Sequence, residues 1–173
     1  MSDWYMLTLV GEDQPGIVAA VTQTLFDKGV NLGEASMLRL GGNFTVMMMV
    51  SGVADVDQLR HALAGPIEHF GLRMHVDSML GGLHRHMEPN VLVRVVGADR
   101  AGIVAQVTGA LAEQGMNILD LDSDVAGSED EPLYIMQIAG LSDTPVEKLD
   151  AAMSALRDDG VDVSIEPIET LVG

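Results

Sequence analysis

The sequence predicts an α+β fold made twice over: two tandem βαββαβ modules, each a four-stranded antiparallel sheet with two helices on one face. Three observations carry that expectation. Residues 10–32 (VGEDQPGIVAAVTQTLFDKGVNL) and 96–118 (VGADRAGIVAQVTGALAEQGMNI) align without gaps, and twelve of their 23 positions are identical. Each half runs through stretches of period two and period 3.6 in the same order. A chain of 173 residues with 47% hydrophobic and 20% charged residues has enough apolar side chains to fold, unlike a disordered segment.

The elements follow in order. Tyr5, Leu7 and Leu9 alternate with Met6 and Thr8, and Val91, Val93 and Val95 alternate with Leu92 and Arg94, which predicts the first strand of each half. Ile17, Val21 and Leu25, and again Ile103, Val107 and Leu111, form an i, i+4, i+8 stripe on a helix. Gly29 and Gly115 stand where those helices should end. Residues 31–40 and 44–50 read as two strands joined by Gly41-Gly42-Asn43, a hairpin signal. A second helix carries Val56, Leu59, Leu63 and Ile67, with Pro66 expected to kink or end it. In the other half Thr144-Pro145-Val146-Glu147 predicts a capping box, with Thr144 at the N-cap. Last strands are expected at residues 72–78 and 161–168, and the unpatterned stretch 79–89 is the natural linker. The modules are accordingly placed at residues 1–80 and 90–173, with 81–89 between them.

This order is the ferredoxin-like arrangement, in which the helices cover one sheet face and leave the other bare. The positions that should point away from the helices are Met6, Val10, Met47 and Met49 in the first half, and Leu92, Val96 and Ile135 in the second. An apolar face of that size implies a cover, from the other half or from another chain, although methionines also serve as flexible core filler.

The glycine-aspartate loop, the helix after it and the Asn-aliphatic pair resemble the signature of ACT domains, small ligand-sensing modules of this fold. The resemblance covers nearly the whole chain twice. Two such modules without an attached catalytic domain are similar to the glycine cleavage system transcriptional repressor family. The resemblance implies that an amino acid, with glycine the candidate, binds near the first strand-to-helix loop, often at a module interface. On the first copy it assigns Asp13, Gln14, Pro15, Gly16 and Ile17, with Asn31 and Leu32. On the second it assigns Asp99, Gly102, Ile103, Asn117 and Ile118, with Ala101 where the pattern has proline.

The chemistry of these residues is compatible with that site. Amides of a first helical turn, aided by the helix dipole, can hold a carboxylate, and Asp13 or Asn31 can take an ammonium. Asp before a helix is also an ordinary cap and Gly-x-Asn an ordinary turn, so spacing alone leaves both readings open.

Other chemistry is weighed down. Residues 11–16 form a GxxxxG, but Ile17 and Val18 replace the Lys-Ser/Thr of a phosphate loop. His84 and His86 lack a third ligand at helical spacing. Asp120, Asp122, Asp124 and Glu131 occupy positions 1, 3, 5 and 12 of a calcium loop, yet Val125 replaces the glycine at position 6. On the repeat alignment they fall in a strand, with the three aspartates on one face and Leu119 and Leu121 on the other, which reads as a charged edge. No metal and no cofactor is expected.

The formal charge of −17 argues against nucleic acid and anionic membranes as partners, because phosphate binding rests on Lys and Arg. The acidity is uneven. Residues 1–80 carry a net −5, residues 81–89 are neutral, and residues 90–173 carry −12, with six acids between Asp120 and Glu131. The absence of cysteine, of a basic-then-apolar start and of a long apolar run gives a cytoplasmic expectation. The reading is a non-enzymatic, amino-acid-sensing regulator, a homo-oligomer that acts through a protein partner rather than on DNA. The alternative is a regulatory subunit that binds and controls a metabolic enzyme.

Overall fold

The computed structural model describes residues 4–79, 87–98, 101–128 and 132–168. The chain divides into two compact units, Met1–His84 and Arg85–Gly173. The first runs β1 (Trp4–Glu12), α1 (Ile17–Asp27), β2 (Asn31–Leu40), β3 (Asn43–Ser51), α2 (Val56–Phe70) and β4 (Arg73–Met79). The second runs β5 (Val91–Ala98), α3 (Ile103–Glu113), β6 (Asn117–Gly127), β7 (Pro132–Leu141), α4 (Val146–Ala152), α5 (Ser154–Asp158) and β8 (Asp162–Pro167). The sheets have the orders β2-β3-β1-β4 and β6-β7-β5-β8, antiparallel throughout. This is the expected βαββαβ pattern, twice.

Each unit has its own core. In the first, Tyr5, Leu7 and Leu9 of β1 and Val46, Met48 and Val50 of β3 meet Ile17, Val21 and Leu25 of α1 and Leu59 and Leu63 of α2. In the second, Val91, Val93, Val95, Met136 and Ile138 meet Ile103, Val107, Leu111, Leu149 and Met153. The alternation and the helical stripe are buried as their periods require. Gly41 and Gly42, at φ 57° and 78°, make the two-residue hairpin turn between β2 and β3, a backbone shape that only glycine adopts without strain.

Three local expectations are corrected. Pro66 does not end α2, which continues to Phe70 and closes on Gly71 at φ 62°. Proline in the last turns interrupts few hydrogen bonds, and Leu59 and Leu63 are already locked in the core. The capping box at Thr144 does not form, and Pro145 occupies the N-cap instead. The Thr144 hydroxyl donates to the Gln114 carbonyl at 2.7 Å, tying the end of α3 to the start of α4. The second helix of this unit breaks into α4 and α5 at Met153, which is fully buried.

The sheet faces away from the helices are only partly bare. Met47 is 46% exposed, whereas Met49 is buried, and Met6, Val10, Leu92, Val96 and Ile135 are half-buried. Trp4 covers that corner: a Cβ on Gly33 would stand 2.9 Å from its ring and 3.3 Å from Met49 Cβ. β2 and β6 each carry an irregularity near their start, between Leu32 and Ala35 and between Ile118 and Asp120. Leu119 is the extra residue of the latter bulge, so it does not alternate with Leu121 as expected.

Candidate functional site

The loop from β1 to α1 is built on Gly16, whose φ of 92° turns the chain into the helix. A Cβ there would meet nothing closer than 3.9 Å, so backbone conformation rather than space demands glycine. Gly102 repeats φ 92° and ψ −6° before α3, and both helices lack a side-chain cap. The amide of Ala20 donates to Gly16 O and that of Gln106 to Gly102 O, each at 2.9 Å. The two helix starts thus share one geometry, each without a side-chain cap and each at the positive end of a helix dipole.

Asp13 is therefore not the cap that its place before a helix suggested. Its amide donates to the Gly42 carbonyl at 3.0 Å, and its carboxylate pairs with the Arg39 guanidinium at 2.5 Å. The Arg39 side chain is 66% exposed and that of Asp13 26%. Gln14 Nε2 donates to the Phe70 carbonyl at 3.4 Å, which holds the loop against the end of α2. Pro15 and Gly16 are exposed, whereas Ile17 is buried and offers its amide rather than its side chain. Asp13, paired with Arg39, thus lies three residues before the uncapped helix start at Gly16.

Asn31 and Leu32 do not join this group within the module. Asn31 lies opposite Ser51, which lies opposite Trp4, whereas the loop leaves β1 at Glu12, opposite Asn43. Eight residues of strand separate the two rows, about 26 Å at the usual strand rise. The second module has the same division, with Gly102 and Ile103 at one end and Asn117 and Ile118 at the start of β6. Asp99 lies outside the described residues.

Arg39 was not singled out in the sequence. It is the only basic residue of β2, and the strand register, Arg39 opposite Phe44, is what brings it to the loop end. In the same register, where Tyr134 pairs with Gly97 as Phe44 pairs with Gly11, β6 has Val125. A second feature the sequence did not show is an open groove of about 260 Å³ between α1 and β2, lined by Val18, Thr22, Leu32, Ala35, Met37, Val46 and Met48. Of the expected residues only Leu32 reaches it.

The three aspartates of the possible calcium loop stand on an extended strand. Asp120, Asp122 and Asp124 lie opposite Ala139, Gln137 and Ile135 on the face away from the helices, and β6 is an edge. Glu131, His84 and His86 lie outside the described residues. Among the described residues no group of three His, Asp or Glu side chains is placed to hold a metal ion, and no helix is long and apolar enough to cross a membrane.

The model of the ACT domain matches residues 5–77 and 90–165. The glycine cleavage system transcriptional repressor of Escherichia coli is 26% identical over 129 residues, which cover 74% of this chain and 68% of the repressor. A UPF0237 protein of Listeria monocytogenes is 31% identical over 85 residues, 46% of this chain and 96% of its own length, so it matches one module's length of chain. The crystal structure of a protein from Galdieria sulphuraria superposes with a TM-score of 0.79 at 24% identity, covering 98% of this chain and all of that one, which shows the fold of both modules. The chain belongs to the ACT domain family and carries that domain twice.

Proposed function

We propose that the protein is a non-enzymatic amino-acid sensor of the cytoplasm that regulates transcription through a protein partner, in the manner of a glycine cleavage system repressor. The observation that carries the ligand reading is the Asp13–Arg39 ion pair at the uncapped start of α1. An α-amino acid is itself an ion pair. Its carboxylate suits Arg39 and the amides of Ile17 and Val18, and its ammonium suits Asp13. Glycine, with no side chain, asks nothing further of the site and is the candidate by family. The likeness to the repressor over 129 residues supports the regulatory role, and the net charge of −17 supports an indirect route rather than contact with DNA.

Thermal shift followed by isothermal titration across the twenty amino acids tests the ligand. A saturable response to glycine or a similar small amino acid is expected, and silence toward all of them would leave a purely protein-binding role. Electrophoretic mobility shift at low salt tests the route: specific binding of DNA by the protein alone contradicts it.

A further inference from the structure

The open sheet face of the second module has an apolar centre and acidic borders. Residues opposite one another in an antiparallel ladder share a face. Away from the helices, β5 presents Leu92, Arg94 and Val96, and β7 presents Ala139, Gln137 and Ile135. Leu92, Val96, Ile135 and Ala139 are half-buried and form a strip along the two central strands. The outer strands carry the same rows into acids, Asp120, Asp122 and Asp124 on β6 and Asp162 and Glu166 on β8. The row of Leu92 and Ala139 ends in Glu166 on one side and Asp120 on the other, and that of Val96 and Ile135 ends in Asp162 and Asp124. All of these acids are exposed. Among the described residues the face holds one base, Arg94, whose guanidinium is paired with Glu166 at 2.8 Å.

Guarding sheet edges against unwanted pairing does not call for this arrangement. The first module has the same two outer positions. On the corresponding face it places Ser36 and Leu38 on β2, and Arg73, His75 and Asp77 on β4. One border there is uncharged and the other is mixed in sign. An apolar strip held between two acidic rows is therefore a property of the second module and not of the fold.

We propose that this face is where the protein partner docks, and that the partner supplies a basic amphipathic helix lying along β5 and β7. The inference rests on the reading that the protein acts through a partner, and adds the surface and its chemistry. Strands spaced about 4.8 Å apart set the two acidic rows about 14 Å from one another. One helix, about 10–12 Å across with its side chains, fits between them. Its apolar stripe covers Leu92, Ala139, Val96 and Ile135, so that the sheet has a helical layer on both faces. Lysines or arginines on its flanks meet Asp120 and Asp124 on one side and Asp162 and Glu166 on the other.

Charge argues against a second copy of the chain as the occupant. This face laid on its own copy opposes acid with acid, which repels. The corresponding face of the first module brings Arg73 and His75 together with Asp77, on one strand only, and so offers no cation to the second acidic row. A partner rich in lysine or arginine is also drawn in from a distance by a chain of net charge −17.

The probe is a fluorescent peptide of about 14 residues, with leucine at helical spacing and lysine elsewhere, beside a scrambled peptide of the same composition. In fluorescence anisotropy with the full chain, the amphipathic peptide should bind about tenfold tighter than the scrambled one. Asp120→Asn/Asp122→Asn/Asp124→Asn should weaken it about tenfold. Glu113→Gln/Glu147→Gln/Asp158→Asn removes the same number of charges from the exposed sides of α3, α4 and α5 and should leave binding within about twofold. No binding, equal binding of both peptides, or equal weakening by the two triple variants overturns the proposal, since net charge alone would account for any attraction. A native dimer that Val96→Asp dissociates, with far-ultraviolet circular dichroism unchanged, also overturns it, by showing the face covered by a second copy. Specific binding of DNA by the chain alone, with the peptide bound as expected, leaves the docking face standing and removes the partner reading instead.

Discussion

Asn90 and Ser142 grip one another through two reciprocal hydrogen bonds, Asn90 Nδ2 to Ser142 O and Ser142 N to Asn90 Oδ1, both at 2.9 Å. The side-chain amide acts here as one more rung between the entry to β5 and the exit from β7, and Ser142 is buried. The Asn90 backbone adds an amide bond to Gly140 O and accepts from the Ile168 amide. Asn90→Ala removes both side-chain bonds and strands a buried donor and acceptor, a loss of about 1–3 kcal/mol. Asn90→Asp keeps the shape and the acceptor but loses the donor, so urea unfolding should place it between the native chain and Asn90→Ala.

Gly140 and Gly109 should respond oppositely to alanine. A Cβ on Gly140 would stand 2.5 Å from Met116 Cε and 2.6 Å from the Asn117 carbonyl oxygen. Asn117 cannot retreat, because it and Ile118 pair with Leu141 and Gly140. Gly140→Ala should therefore cost about 1–3 kcal/mol through overpacking. Gly109 lies inside α3 with no atom within 4 Å of the added carbon. Gly109→Ala should gain about 0.5–1 kcal/mol, seen as a higher melting temperature.

Arg39→Gln separates binding from folding. The Asp13–Arg39 pair is largely exposed on the arginine side, so its loss should change stability by less than about 1 kcal/mol. Amino-acid affinity in the proposed site should fall about tenfold to a hundredfold, the worth of one charge-assisted hydrogen bond. Titration calorimetry beside thermal unfolding reads the two quantities separately. Unchanged affinity would remove Arg39 from the site.

Leu25 and Phe26 are adjacent on α1 and opposite in environment, the first fully buried and the second 74% exposed. Leu25→Ala should cost about 2–5 kcal/mol. Phe26→Ala should leave stability within about 0.5 kcal/mol in the same urea titration. A Phe26→Ala chain that loses stability like Leu25→Ala would show that the ring is packed rather than displayed.

The strands, the helical stripes and the edge position of the three aspartates were legible because burial imposes its own period on the sequence. Ile17, Val21 and Leu25 could be read from spacing alone. What escaped depends on contacts distant along the chain. Thr144 has the residues of a cap, yet its hydroxyl finds Gln114, thirty positions away. Pro66 has the residue type of a helix end, but the core contacts of α2 outweigh it. Asp13 was visible as an acid before a helix, and its partner Arg39 was not, because only the pairing of β2 with β3 brings that guanidinium to the loop. The bulges moved Leu119 out of its alternation, which no two-residue period can foresee.

Gly16 and Gly102 share φ 92° and ψ −6°, while the cation paired with Asp13 in the first module, Arg39, has Val125 in its register place in the second. A small anion that reads only backbone amides meets the same surface twice per polypeptide. An amino acid that also needs a guanidinium in the strand position of Arg39 meets it once. The number of molecules bound per chain at saturation is therefore a chemical measurement: two would report recognition by the main chain, and one would report recognition by Arg39.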